Sequence, residues 1–208
     1  MARILITSGP TRQYLDPVRY ITNASSGRMG ACLVAAAIER GHDVVVVSGP
    51  VDVRYDTRAT VHRVTTTDEM LSVVRRQFAE CDGLVGVAAP CDYRPLRVED
   101  HKIAKTGQPL VLHLVETPDI VATMGSEKGD RWVVGFALET EDHRFRAITK
   151  LQKKSCDLIV LNEPQAMDSA TNQVEVLDGL GNVVLACSGS KEDVAARLFE
   201  LFESRLIH

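Results

Sequence analysis

No sign of charge dominates this chain. Its 24 lysines and arginines stand against 28 aspartates and glutamates, a formal net charge of −4. There is no global basic field to draw in nucleic acid, so any anion site must be a local cluster. Long hydrophobic runs are missing as well. Leu33–Ile38 and Val44–Val47 are far too short to span a bilayer. The N-terminus passes from Met1-Ala2-Arg3 straight into the apolar Ile4-Leu5-Ile6, without the charged region, apolar stretch and cleavage site of a signal peptide. The cysteines Cys32, Cys81, Cys91, Cys156 and Cys187 are odd in number, scattered, and form no CxxC pair. That pattern argues against a zinc site or a disulfide framework. These absences point to a reduced cytoplasmic protein with neither a membrane nor a nucleic acid as partner.

What is present fits one α/β domain over residues 1–208. About 45% of the residues are hydrophobic, enough for a sizeable core. Residues 3–8 read as a buried strand closed by the turn signal Gly9-Pro10. A helix over 26–40 ends at Gly41, and Asp43–Val47 is a valine-rich strand of the kind covered on both faces. Val61–Val64 is a weaker strand, and Asp68 caps a helix with Met70, Leu71, Val74 and Phe78 on one face. Leu84–Ala88, Leu110–Val115, Trp132–Phe136 and Leu158–Leu161 follow as strands, with a long polar loop over 89–109, a short helix after Thr117-Pro118 and a charged helix over 139–154. Gln173–Leu177 and Val183–Ala186 form a hairpin with no obvious place in a parallel sheet, and a helix over 191–206 ends the chain. The alternation predicts a doubly wound, mostly parallel sheet, Rossmann-like and three-layered, with a C-terminal β-hairpin. Ligands of such sheets sit at the carboxyl ends of the strands.

Four segments at that edge carry candidate chemistry. A dinucleotide-binding fold has GxGxxG directly after its first strand. Here Gly9 stands alone, 17 residues, read as loop, separate it from Gly27, and Ala24-Ser25-Ser26-Gly27-Arg28-Met29-Gly30 opens a helix. Backbone N–H groups, hydroxyls, the positive helix end and Arg28 can cradle an anion there. The alternative is an ordinary N-cap by Ser25 or Ser26. Asn23 precedes the cradle, either as a hydrogen-bonding group or as a turn residue. In the second segment, Gly86, Val87 and Ala88 end a strand where a flat base can approach the backbone. Asp92 can accept from a ligand or help hold a metal through water, and Lys102 and Lys105 can neutralise phosphates. A solvated charged loop is the alternative. Cys91 reads better as a small buried thiol than as a nucleophile. The third segment pairs the helix start Thr117-Pro118-Asp119 with Phe136, a core residue on local pattern. The fourth holds Lys150 and Lys154, four apart on one helix face, which either answer the helix dipole or extend a phosphate clamp.

Taken together, these segments resemble one family. GPTRQYLDPVRYITNASSGRMG is similar to the signature of phosphopantothenoylcysteine synthetase. The resemblance continues in order through Val47-Ser48-Gly49-Pro50, Ala88–Arg94, Lys102-Ile103, Thr117–Ala122, Val134–Thr140 and Asp157–Asn162, nearly the whole chain. It implies a ligase in which the carboxylate of 4′-phosphopantothenate attacks the α-phosphate of CTP with Mg²⁺. The amine of L-cysteine then attacks the acyl cytidylate. It further implies that Asn23 and Lys102 are catalytic, and that Gly9, Gly86, Val87, Ala88, Asp92, Lys105, Thr117, Pro118, Asp119, Phe136, Lys150 and Lys154 contact the nucleotide, with Asp92 also near the metal. Ser25, Ser26, Gly27 and Arg28 would hold the phosphate of phosphopantothenate. The family is dimeric and is often fused to a flavin decarboxylase. No such sequence is present here, so a stand-alone bacterial-type ligase working with a separate decarboxylase is expected, the alternative being an excised half of a fused protein. Pro90-Cys91 and Ala104 depart from the usual pattern, the latter losing one cation. The rivals are an NAD(P)-dependent reductase, disfavoured by the missing GxGxxG, and a non-catalytic nucleotide-binding module.

Overall fold

The computed structural model describes residues 1–138, 149, 151–162 and 171–207. Six parallel strands form its centre: β1 (Arg3–Ser8), β4 (Asp43–Ser48), β5 (Thr60–Arg63), β6 (Gly83–Gly86), β9 (Trp132–Leu138) and β10 (Leu158–Asn162). They lie in the spatial order β5-β4-β1-β6-β9-β10. Counted among themselves this is 3-2-1-4-5-6, the order of the dinucleotide-binding sheets, and the direction of winding reverses between β1 and β6. β11 (Thr171–Asp178) and β12 (Val183–Ser190) continue the sheet antiparallel beyond β10. The C-terminal hairpin therefore does have a place in the sheet, as its antiparallel edge.

The strands are apolar because both faces are covered. Ile4, Ile6, Val44 and Val46 pack with α1 (Arg28–Glu39) and α4 (Lys191–Leu206). The intervening Leu5, Val45, Val47 and Leu84 pack with α2 (Thr67–Phe78), α3 (Ile120–Glu127) and Leu151. Neighbouring residues of a strand point to opposite faces, so each strand feeds two cores at once.

Three local expectations are corrected. The cap of α2 is Thr66, not Asp68: its side chain accepts from Glu69 N while Glu69 reaches back to the cap, and Asp68 lies in the first turn. The reciprocal Thr-x-x-Glu box satisfies two otherwise orphaned N–H groups, which a lone aspartate does not. The stretch after Gly9 is no structureless loop but an antiparallel pair, β2 (Arg12–Asp16) and β3 (Arg19–Thr22). The expected strand over 110–115 shrinks to β8 (Leu114–Glu116), paired with β7 (Tyr93–Pro95). Between β7 and β8, residues 96–113 form an arm with exposed apolar side chains, Leu96 at 68% and Val111 at 74% exposure.

Candidate active site

The chain turns at the carboxyl end of β1 through Gly9, whose φ of 75° suits glycine. The β2–β3 hairpin then leaves the sheet and returns at Asn23. The N-cap of α1 is Gly27, with φ 74° and no side-chain cap, so neither Ser25 nor Ser26 serves as the ordinary cap. One turn on, Gly30 lets α1 press against β1, since a Cβ there would sit 2.1 Å from Ser8 Oγ. The three glycines of a dinucleotide fingerprint turn the chain, open the helix end to phosphate and pack helix on strand. Gly9, Gly27 and Gly30 occupy those three roles, with a hairpin inserted between the first and second. A scan for contiguous GxGxxG misses this arrangement, because the roles are spatial.

Gly30→Ala tests the packing. Alanine gains about 1 kcal/mol of helix propensity over glycine, but overpacking costs about 1–3 kcal/mol, and Ser8 is fully buried. The clash should win, with the urea midpoint falling and its slope unchanged. A midpoint at or above wild type would show that α1 has room to move.

The end of β6 is pinned beside this corner. Ala88 N donates to Thr7 Oγ1 (3.2 Å) and Ala89 N to Gly9 O (2.9 Å). Asn23 Nδ2 donates to Pro90 O (2.9 Å) and Ala89 O (3.3 Å). With carbonyls as partners the amide must face them with its NH₂ group, which leaves Oδ1 as its acceptor. Below lies a polar layer that local sequence reading missed. Thr11 Oγ1 meets Thr67 Oγ1 at 2.8 Å, Gln13 Nε2 donates to Thr67 Oγ1 (2.8 Å), and Cys91 N donates to Thr11 Oγ1 (2.9 Å). Thr117 Oγ1 donates to Cys91 O (2.5 Å), while Thr117 N donates to Asp92 O (2.8 Å). The 88–92 loop is thus held by β1, the hairpin, α2 and the start of α3. Cys91 is buried, and burial pushes its thiol up from its ordinary value. That agrees with the reading of a small buried thiol and not a nucleophile.

The other expected residues fall in three groups. Gly86 is buried, while Val87 and Phe136 are half-buried against the core, so Phe136 keeps an open part. Ser25 is half-buried; Ser26, Arg28, Asp92, Pro118 and Asp119 are exposed. Asp119 caps α3 by accepting from Ala122 N, and its other oxygen pairs with Lys154 Nζ at 3.0 Å, so these two candidates meet each other. Lys150 lies outside the described residues. Among the described residues no group of three or more metal-ligating side chains exists. The exposed Asp92 carboxylate suits an Mg²⁺ carried largely by nucleotide phosphates and water, as that ion prefers.

Lys102 and Lys105 are exposed on the arm, away from the pinned loop in sequence. Lys102 lines a cleft of about 510 Å³ between Leu15 of the hairpin and the arm residues Leu96, Ile103 and Val111. The arm is fastened to the hairpin at Asp16. Burial disfavours the Asp16 charge, but bonds from the backbone N–H groups of Val18, Ile103 and Arg19 and from the Arg19 side chain outweigh it and lower the pKa to about 2. With a depressed pKa, the contribution is complete above the unfolded value of about 4 and is lost as pH falls through about 2. The fastening is therefore constant across the neutral range.

The family model of the DNA/pantothenate metabolism flavoprotein C-terminal domain matches residues 1–205. The chain belongs to this family. It is 36% identical over 212 residues to the coenzyme A biosynthesis bifunctional protein CoaBC of Vibrio vulnificus (strain CMCP6), covering 99% of this chain and 53% of that protein. The chain spans about half the length of the curated relatives it matches. A crystal structure of the C-terminal domain of a CoaBC protein superimposes with a TM-score of 0.84 at 34% identity, over 97% of this chain and 94% of that one. A Cab2 mutant in complex with phosphopantothenate-cysteine has a TM-score of 0.78 at 17% identity, over 99% and 88% of the two chains, a likeness of fold alone. The family's place among proteins of coenzyme A biosynthesis agrees with the resemblance carried by the hairpin motif. Among the described residues no helix is long and apolar enough to cross a membrane.

Proposed function

We propose that the chain is a cytoplasmic phosphopantothenate–cysteine ligase that uses CTP. The observation that carries this reading is the split glycine corner at the winding reversal between β1 and β6, with Asn23 bonded to the loop that ends β6. A phosphate-binding corner and an amide meet where this fold binds ligands. The inserted hairpin separates this corner from a dinucleotide reductase, which has a short turn there.

In the first step a carboxylate oxygen of 4′-phosphopantothenate attacks the α-phosphorus of CTP. The bond from that phosphorus to the bridging oxygen breaks, and pyrophosphate leaves. In the second, the amine nitrogen of cysteine attacks the acyl carbon, CMP departs with the cleaved C–O oxygen, and the amine loses a proton. Asp92, together with the phosphates, would hold Mg²⁺, which would supply neutralisation of triphosphate charge. The protein chiefly positions reactants and stabilises charge. Ser25, Ser26, Gly27 and Arg28 take the phosphate of phosphopantothenate. The backbone at Gly86–Ala88 and the open part of Phe136 face the base, and Lys102, Lys105 and the cations after β9 attend the triphosphate. A phosphopantothenoylcysteine decarboxylase would consume the product.

The test is pyrophosphate release with 4′-phosphopantothenate, Mg²⁺ and either CTP or ATP, with and without cysteine. CTP should turn over roughly tenfold faster or more, since one discriminating hydrogen-bonded contact is worth about 1.4 kcal/mol. Equal turnover with ATP removes the CTP assignment, and no pyrophosphate with either nucleotide removes the ligase.

We further propose a homodimer. The exposed Leu96, Val98, Leu110, Val111 and Leu114 gather on one arm, more apolar surface than scattered single residues explain. Light scattering at tens of micromolar should give twice the chain mass, and a monomer there ends this proposal.

A further inference from the structure

Asp16 makes more bonds than its turn requires. Its Oδ1 accepts from Val18 N and Arg19 N, both at 2.9 Å, and these two bonds alone build the β2–β3 turn. Its Oδ2 faces the other way. It accepts from Arg19 Nε (2.9 Å) and from Ile103 N (3.1 Å), and lies 2.7 Å from Arg19 Nη2. Arg19 Nη2 in turn donates to Ile103 O at 2.5 Å. Both backbone polar groups of one arm residue are thereby held by one ion pair, its carboxylate buried and its guanidinium partly exposed, and that residue directly follows Lys102. The Asp16 side chain is 0% exposed. Burying a carboxylate is costly unless its partners need the charge, and an asparagine would make the turn without that cost. One further backbone bond, Glu99 N to Leu15 O at 2.9 Å, ties the same arm to the hairpin. The arm's apolar side chains face solvent in this chain, so core packing does not set its place.

We propose that Asp16 is a positioning residue for nucleotidyl transfer: with Arg19 it clamps Ile103 and thereby fixes where Lys102 stands relative to the hairpin that leads into Asn23. The proposal rests on the assignment of Lys102 to the first step. Lysine carries its charge on a flexible stem, so an anchored backbone one peptide away restricts where that charge can reach. The second step needs the acyl group and the amine, not Lys102, and should not depend on the clamp.

Two variants break the same link from opposite sides. Asp16→Asn turns an acceptor into a donor facing donors and removes the charge opposite Arg19. Ile103→Pro deletes the arm's N–H and leaves Asp16 intact, outside the core, so it carries the test if Asp16→Asn does not fold. Three quantities are read in the full chain: pyrophosphate release in a single turnover, transfer of supplied acyl cytidylate to cysteine, and the rate of tryptic cleavage after Lys105, whose bond to Thr106 is intact in both variants. Both variants should be cleaved faster after Lys105 and should release pyrophosphate roughly tenfold to a hundredfold more slowly, the loss expected from a small misplacement of a reacting group. Transfer from supplied acyl cytidylate should stay within about twofold of wild type, since no group of that step touches the clamp. Equal slowing of both steps would mean a structural role and overturn the proposal. So would faster cleavage with pyrophosphate release unchanged. Wild-type protein that releases no pyrophosphate at all sinks the ligase reading, and this proposal with it. Normal wild-type release with unaffected variants sinks this proposal alone.

Discussion

Lys102→Gln should lower pyrophosphate release by about a thousandfold, to the edge of detection, while acyl cytidylate supplied from outside is still passed to cysteine. Charge builds on the phosphates as pyrophosphate leaves, and a cation brought to them there stabilises the transition state more than the ground state. Glutamine keeps the length and some hydrogen-bonding capacity but removes the charge. The substitution should be clean, because the bonds that hold the arm here run through the backbone of Ile103 and not through the Lys102 side chain. Ala104 stands where a further lysine is usual in the resembling family, so Lys105 is the nearest substitute on the arm, and it too is exposed. Rapid-quench mass spectrometry separates the steps. Accumulation of acyl cytidylate in Lys102→Gln would place the lysine in the second step and reverse the assignment.

The parts of this molecule that were legible in the sequence are those fixed by nearby residues. Ile4-Leu5-Ile6 and Val44–Val47 announce two-face burial, and the parallel sheet follows from their alternation with helices. The β2–β3 hairpin did not show itself. Its polar residues Gln13 and Asp16 are buried by partners far along the chain, Thr67 and Ile103, and no local pattern reports such partners. The signal that was available is the alternation Arg12-Gln13-Tyr14 and Arg19-Tyr20-Ile21 on either side of Asp16-Pro17, an aspartate–proline turn. The same limit explains Asp119 and Lys154. Each is a separate nucleotide-contact candidate in the sequence, and the fold brings the two together as one ion pair across the start of α3. A charged side chain placed correctly on an element still has a partner that only the fold chooses. The glycines show the reverse. Their spacing in sequence excluded a dinucleotide fingerprint, and their spacing in the fold restores its geometry without its contiguous turn.

Asn23→Asp should separate the two half-reactions from the other side. It should form acyl cytidylate at close to the wild-type rate and transfer it to cysteine about a hundredfold more slowly, so that the intermediate accumulates. Both N–H bonds of the Asn23 side chain go to carbonyls of the 89–90 loop, and its Oδ1 remains to accept from an incoming amine. An aspartate keeps that acceptor but turns a second oxygen toward two carbonyl oxygens, where it can only repel. The loop next to Cys91 and Asp92 is pinned independently by Thr11, Thr67 and Thr117, so it is the side chain of residue 23 that must swing out of place. That removes a preorganised contact at the acyl carbon, a loss of about 3 kcal/mol. Nucleotidyl transfer is spared because Lys102 is fastened through Asp16 and Ile103, with no bond to Asn23. Quenched single turnovers should therefore show normal pyrophosphate release and a lingering acyl cytidylate peak. Transfer at the wild-type rate would mean that the amide of Asn23 only braces the loop and takes no part in amine attack.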